Sequence, residues 1–183
     1  VVEPFTARLA ERMAALRVGR GTEAGVQVGP MIDAPSRDKV ASLVDEAVQG
    51  GAEVVVGGRP AEGPGWFYSP TVLRHVSPDA ALLEEEIFGP VAPITAFQTL
   101  DEALGLANAT EYGLVAYAFT RDLDNAVRLA ERLDTGMVAI NQGVVSNPAA
   151  PFGGVKASGF GREGGREGIE EYLETRYVGI RPR

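Results

Sequence analysis

The sequence predicts an α/β fold, with a mainly parallel sheet and flanking helices. Three observations point there. Strand-like and helix-like runs alternate through the second half of the chain, the order that builds parallel strands with covering helices. Within the helix-like runs apolar residues recur at three- and four-residue spacing, which gives each run one buried stripe. A glycine-dense loop, Asn141 to Gly165, leaves the carboxyl end of the run 137–140, which is where open α/β sheets bind ligands.

In order, Pro4 to Leu16 reads as an amphipathic helix with Phe5, Leu9, Met13 and Leu16 on one face. Pro4 suits a first helical turn, and Gly19 and Gly21 follow its end. Ala34 to Gln49 is a second helix, buried along Val40, Leu43, Val44, Ala47 and Val48 and stopped by Gly50-Gly51. Ala52 to Val56 is a β-branched strand ended by Gly57-Gly58. Extended pieces are expected at 66–68 and 71–76, and a single helical turn at 79–85. Val91 to Phe97 contains Pro93, so it reads as an edge strand. Asp101 to Asn108 is a helix capped by Thr99 or by Asp101 itself. Leu114 to Thr120 is a strand, and Asp122 to Leu133 a helix with Ala126, Leu129, Ala130 and Leu133 inward. Met137 to Ile140 is a strand, Arg166 to Leu173 a helix, and Arg176 to Ile180 a last strand.

The chain has 183 residues and a net charge of −8, which argues against a nucleic-acid or anionic-membrane surface. No apolar run approaches the roughly 20 residues that span a bilayer. The start shows no signal-peptide pattern, and a cytoplasmic location is expected. The first residues are Val-Val-Glu-Pro rather than Met, so the expectation is a processed chain or a piece of a longer one. There are no cysteines, hence no disulfide, thiolate metal site or cysteine nucleophile. The one histidine, His75, cannot form a multi-histidine cluster and is expected at a strand end without a chemical role.

The long loop interleaves Val144, Val145, Phe152, Val155 and Phe160 with its glycines, which a solvated linker has little use for. It is read as an ordered site loop. It contains Gly159-Phe-Gly161-Arg-Glu-Gly164, a literal G-x-G-x-x-G. That motif binds dinucleotides only where a strand runs straight into it, and here a Pro- and Gly-rich turn lies upstream. Tight turns at positive φ are the better reading.

Two stretches carry a family resemblance. One is Glu85-Glu86-Ile-Phe-Gly-Pro90; the other is Asn141 through Gly168, with Pro151-Phe-Gly-Gly-Val-Lys156, Ser158-Gly159 and Gly161-Arg-Glu-Gly164. In the same order and at about the same separation, they resemble the aldehyde dehydrogenase superfamily. The likeness also runs through Gly29-Pro-Met-Ile-Asp33. Within that superfamily, Ser146-Asn-Pro-Ala-Ala-Pro-Phe-Gly-Gly154 with Gly-Ile-Glu-Glu-Tyr172 after it is most similar to succinate-semialdehyde dehydrogenases.

The resemblance implies an aldehyde-dehydrogenase-like catalytic domain of which this chain is the carboxyl-terminal part. Residues 1–173 then belong to that domain, and 174–183 form a terminal strand and tail that joins an intersubunit sheet, giving a homo-oligomer. A nicotinamide-dinucleotide domain, the cysteine nucleophile and the base that directs water are implied upstream, so the chain alone is expected to be inactive. The cofactor is NAD or NADP. By the same resemblance Glu86 accepts hydrogen bonds from the nicotinamide ribose, Phe88 supports the nicotinamide end, and Lys39 approaches the adenosine ribose. Ser146 helps hold the far carboxylate of the aldehyde substrate, and Phe152 lines the aldehyde channel. A carboxylate suits a diol because it accepts from both hydroxyls, and a hydroxyl donor suits a carboxylate.

Lys156, Arg162 and Glu163 read as groups that tie the loop to the body, and Asn141 as one that satisfies backbone at the strand end. Two other functions are open: a non-catalytic binding or assembly module pairing through 176–180, and a transferase using the glycines as a phosphate cradle. The second lacks the lysine-serine pattern of a Walker loop.

Overall fold

The computed structural model describes residues 1–182; Arg183, the last residue of the expected terminal segment, lies outside them. The chain forms two units, Val1–Phe97 and Gln98–Arg183.

In the first unit α1 (Val2–Ala14) lies against β1 (Glu53–Val56) and β2 (Thr71–Arg74). Its expected stripe is only partly covered: Phe5 is exposed, and Thr6 is the residue fully buried. The Thr6 hydroxyl donates to the Val2 carbonyl at 2.9 Å, so its burial leaves no unmet bond. α2 (Ala34–Gln49) begins at Asp33, whose carboxylate accepts the Ser36 N–H at 2.8 Å, with Pro35 in the first turn. Val40, Leu43, Val44 and Ala47 are buried as their spacing predicts, whereas Val48 is exposed. With Ala52, Tyr68, Leu73, Val76 and Leu82 they make the core of this unit. The Tyr68 hydroxyl has no partner among the described residues. Burial, with the Asp45 charge, pushes its pKa up to about 12, so it stays a neutral phenol.

α3 (Ala81–Glu84) is the expected single turn, and it drives Leu82 into the core. β3 (Val91–Pro93) pairs parallel with β2, while β1 pairs antiparallel with it, in the order β1-β2-β3. Pro93 therefore sits on an edge, as a residue without an N–H must.

The second unit holds α4 (Leu100–Asn108), β4 (Tyr112–Gly113), β5 (Val115–Ala118), α5 (Leu123–Arg132), β6 (Met137–Ile140) and β7 (Val155–Lys156). Thr99 is the cap of α4, accepting the Glu102 N–H at 3.1 Å. β5 and β6 run parallel with α5 between them, the strand-helix-strand unit the sequence predicts. β4 and β7 pair antiparallel.

Four expectations need correction. The sheets are small and mixed rather than mainly parallel. The link from β1 to β2 is a turn-rich loop without a crossover helix, so the chain returns antiparallel. Ala130 is exposed and no residue of α5 is fully buried, because a two-stranded sheet is too narrow to cover the helix. The run 166–173 forms a 3₁₀ helix, Glu167–Tyr172, not an α-helix; six residues containing Gly168 are too few to propagate α turns. Residues 176–180 form no strand; Tyr177, Val178 and Ile180 are exposed, and a strand needs an edge to pair with.

Candidate functional site

In the first unit the loop after α3 is held against α2 at two points. Gly89 faces buried Val40: a Cβ there would lie 2.8 Å from Val40 Cγ2. The Lys39 ammonium donates to the Glu86 carbonyl oxygen at 3.1 Å and lies 3.4 Å from a Glu85 carboxylate oxygen. Between these anchors Phe88 takes φ 48°, a left-handed conformation that a bulky side chain rarely adopts. The residue is 79% exposed. Strain of this kind persists only where the surroundings hold it. The Glu86 carboxylate is exposed and has no hydrogen-bond or ion-pair partner among the described residues. Three predicted residues, Lys39, Glu86 and Phe88, therefore meet on one loop and helix.

The fit of Gly89 sets an expectation. Val40 is fully buried and cannot swing away, so Gly89→Ala should lower stability by about 1–2 kcal/mol, as overpacking does. The urea midpoint of the whole protein checks this, and an unchanged midpoint would contradict it.

In the second unit the long loop is tied down by the residues expected to do so. Asn141 ends β6 at φ 57°, and its side chain closes on Thr120: it accepts the Thr120 N–H at 2.9 Å and donates to the Thr120 carbonyl at 2.7 Å. Lys156 donates to the carbonyls of Asn108 and Thr110 at 3.1 and 3.2 Å and pairs with Asp134 at 2.9 Å. Arg162 donates to the carbonyls of Gly154 and Gly161 at 2.8 and 2.6 Å. Glu163 contributes through its backbone, exchanging both hydrogen bonds with Phe152 at 2.7 Å. Gly159, Gly161, Gly164 and Gly165 have φ between 60° and 108°, so the G-x-G-x-x-G is a series of left-handed turns. The residues before it are the two-residue β7 and a turn, not a strand entering a helix.

Ser146 and Phe152 face different hollows. Ser146 lines one of about 540 Å³ with Met137, Gln142, Val145 and Pro151. Phe152 lines one of about 740 Å³ with Phe160, Arg162, Ile169 and Tyr172. The loop thus offers a polar, hydroxyl-bearing hollow and an aromatic one. Among the described residues no cluster of acidic groups and histidine could hold a metal ion. His75 follows β2 with its backbone at φ 54°, at the strand end expected for it.

Sequence reasoning missed the hold of Lys39 on the Glu86 carbonyl and the seat of Gly89 on Val40. Lys39 and Glu86 are 47 residues apart, and neither a helix-face lysine nor a backbone carbonyl carries a pattern that announces the pair.

The model of the aldehyde dehydrogenase family matches residues 1–178. A succinate-semialdehyde dehydrogenase of Paenarthrobacter nicotinovorans is 55% identical over 180 residues, which are 98% of this chain and 40% of that protein. A glutarate-semialdehyde dehydrogenase of Pseudomonas aeruginosa is 47% identical over 178 residues, 97% of this chain and 37% of that one. The crystal structure of succinate-semialdehyde dehydrogenase from Burkholderia pseudomallei matches with a TM-score of 0.91 at 46% identity, covering 94% of this chain and 36% of that one. The chain belongs to the aldehyde dehydrogenase family. Within it the chain is similar to semialdehyde dehydrogenases, and it spans at most 40% of the length of these three proteins.

Proposed function

We propose that the protein to which this chain belongs is an NAD- or NADP-dependent aldehyde dehydrogenase that oxidises succinic semialdehyde to succinate. This chain supplies the carboxyl-terminal portion of its catalytic domain. The observation that carries the reading is the Glu86 carboxylate, exposed and without a partner among the described residues, two positions from Phe88, which is exposed on a left-handed backbone. A diol acceptor beside a flat apolar face fits the nicotinamide-ribose end of a dinucleotide.

Bound there, the dinucleotide supplies the hydride acceptor. Glu86 accepts hydrogen bonds from the ribose hydroxyls, and Phe88 packs against the nicotinamide end. Ser146 donates its hydroxyl to the far carboxylate of the substrate. Phe152 walls the aldehyde path and keeps water from the reacting carbon. The cysteine nucleophile and the base come from the rest of the protein. Exposed Tyr177, Val178 and Ile180 support a further role for the segment after the 3₁₀ helix, pairing with a second copy in a homo-oligomer.

The test is formation of reduced dinucleotide by the whole protein, given succinic semialdehyde and, separately, butanal. A preference for the semialdehyde is expected, and Ser146→Ala should cut it by about tenfold, the usual loss for one hydrogen bond to a charged group. Equal rates with both aldehydes would remove the succinate assignment. No turnover with any aldehyde would remove the dehydrogenase and favour a binding module.

A further inference from the structure

We infer that Lys39 is a positioning residue for the Glu86 carboxylate and the Phe88 ring, and not a contact for the adenosine end of the dinucleotide. The inference rests on the reading of Glu86 and Phe88 as the nicotinamide-ribose contact. Its ground is how the Lys39 ammonium is used. One hydrogen bond goes to the Glu86 carbonyl oxygen at 3.1 Å, and the charge is balanced by Glu85 at 3.4 Å. A lysine ammonium has three donors and one charge. With the charge balanced on the loop, little is left to recognise a distant hydroxyl.

The same arrangement explains the loop. Glu84, Glu85 and Glu86 are consecutive carboxylates, and their repulsion favours splaying apart. Lys39 draws the Glu85 side chain to itself and grips the Glu86 backbone. The next residue of α2, Val40, is the surface on which Gly89 sits. Two successive residues of one helix therefore clamp both flanks of the segment 87–88, and the helix is fixed in turn by its Asp33 cap and its buried face. Phe88 is held at φ 48° between the clamps, and the Glu86 side chain is directed outward without a partner among the described residues. Loss of Lys39 frees one flank. The carboxylate then samples many orientations and the Phe88 backbone relaxes, so ordering must accompany binding.

The experiment measures the affinity of the whole protein for the oxidised dinucleotide and for adenosine monophosphate, which lacks the nicotinamide ribose. Titration calorimetry serves for both. For Lys39→Met the dinucleotide should bind about tenfold more weakly and adenosine monophosphate within about twofold of the parent. Lys39→Arg, which keeps a donor and a charge, should recover most of the loss. Lys39→Met combined with Glu86→Gln should bind no worse than Glu86→Gln alone, because the lysine acts through the carboxylate. Lys39 is about half exposed, so the variants keep the core; a thermal melt of each checks this. Equal weakening of both ligands in Lys39→Met would place the lysine at the adenosine end and overturn the inference. Weakening by Glu86→Gln but not by Lys39→Met would overturn it and leave the reading of Glu86 standing. No effect of Glu86→Gln would overturn both.

Discussion

Given an aldehyde and an oxidised nicotinamide dinucleotide, this polypeptide by itself will form no reduced dinucleotide above the buffer rate. The expectation follows from its nucleophiles. The chain contains no cysteine, and thiolate chemistry needs a thiol. The remaining candidates are engaged elsewhere or lack a base. The Ser158 hydroxyl accepts the Gly113 N–H at 3.0 Å and stands in the loop scaffold. Lys156 is bound to two carbonyls and to Asp134, and Lys39 to the Glu86 carbonyl and Glu85. An activated nucleophile requires an oriented base within about 3 Å; among the described residues Ser158 has none as a hydrogen-bond partner, and both lysines are committed to carbonyls and ion pairs of the scaffold. Loss of a nucleophile costs on the order of 10⁶ in turnover in a well-studied protease, so the expected signal is nil rather than reduced. Absorbance of the reduced nicotinamide, followed against a control with the whole protein, decides it. A rate that rises linearly with the concentration of this polypeptide would sink the expectation.

Local chemistry was legible along the chain, and pairing between distant segments was not. Thr99, one of the two caps expected for α4, announces its helix because a side-chain acceptor three residues before an orphan N–H is a local event. β5, α5 and β6 were found because apolar period and order suffice for one parallel crossover. The antiparallel return of β2 on β1 was missed: the sequence shows two apolar runs and a loop, and the direction of pairing depends on the path of that loop. Residues 176–180 read as a strand on propensity, but propensity alone gives no hydrogen-bond partner. At the candidate site, Glu86 and Phe88 were named through a resemblance of consecutive residues. What holds them, an ammonium 47 residues earlier and a buried valine beside it, became visible only in three dimensions.

Gly136→Ala should be the most destabilising single methyl in the second unit. Gly136 immediately precedes β6, and its N–H donates to the Gly113 carbonyl at 3.0 Å. A Cβ there would run into the Gly153 carbonyl group and come within 2.8 Å of Gly154 Cα. These are backbone atoms, so no rotamer change relieves the clash. The backbone behind them is also braced. Arg162 is bonded to the carbonyls of Gly154 and Gly161, and Phe152 and Glu163 are paired in both directions. Either the segment 151–156 lifts away or the β5–β6 pair frays at its start. Overpacking of a side-chain core costs about 1–3 kcal/mol, and a clash confined to backbone belongs at the top of that range, about 3 kcal/mol. The lifted segment would carry Phe152 with it, so activity of the whole protein should fall alongside stability. Gly143→Ala is the matched control. Gly143 lies in the loop after β6 at no positive φ, and a Cβ there meets nothing within 4 Å. Its urea midpoint should stay at the parent value while that of Gly136→Ala drops. Equal midpoints for the two variants would show that the loop yields freely, and that the glycines of this segment are not packed backbone to backbone.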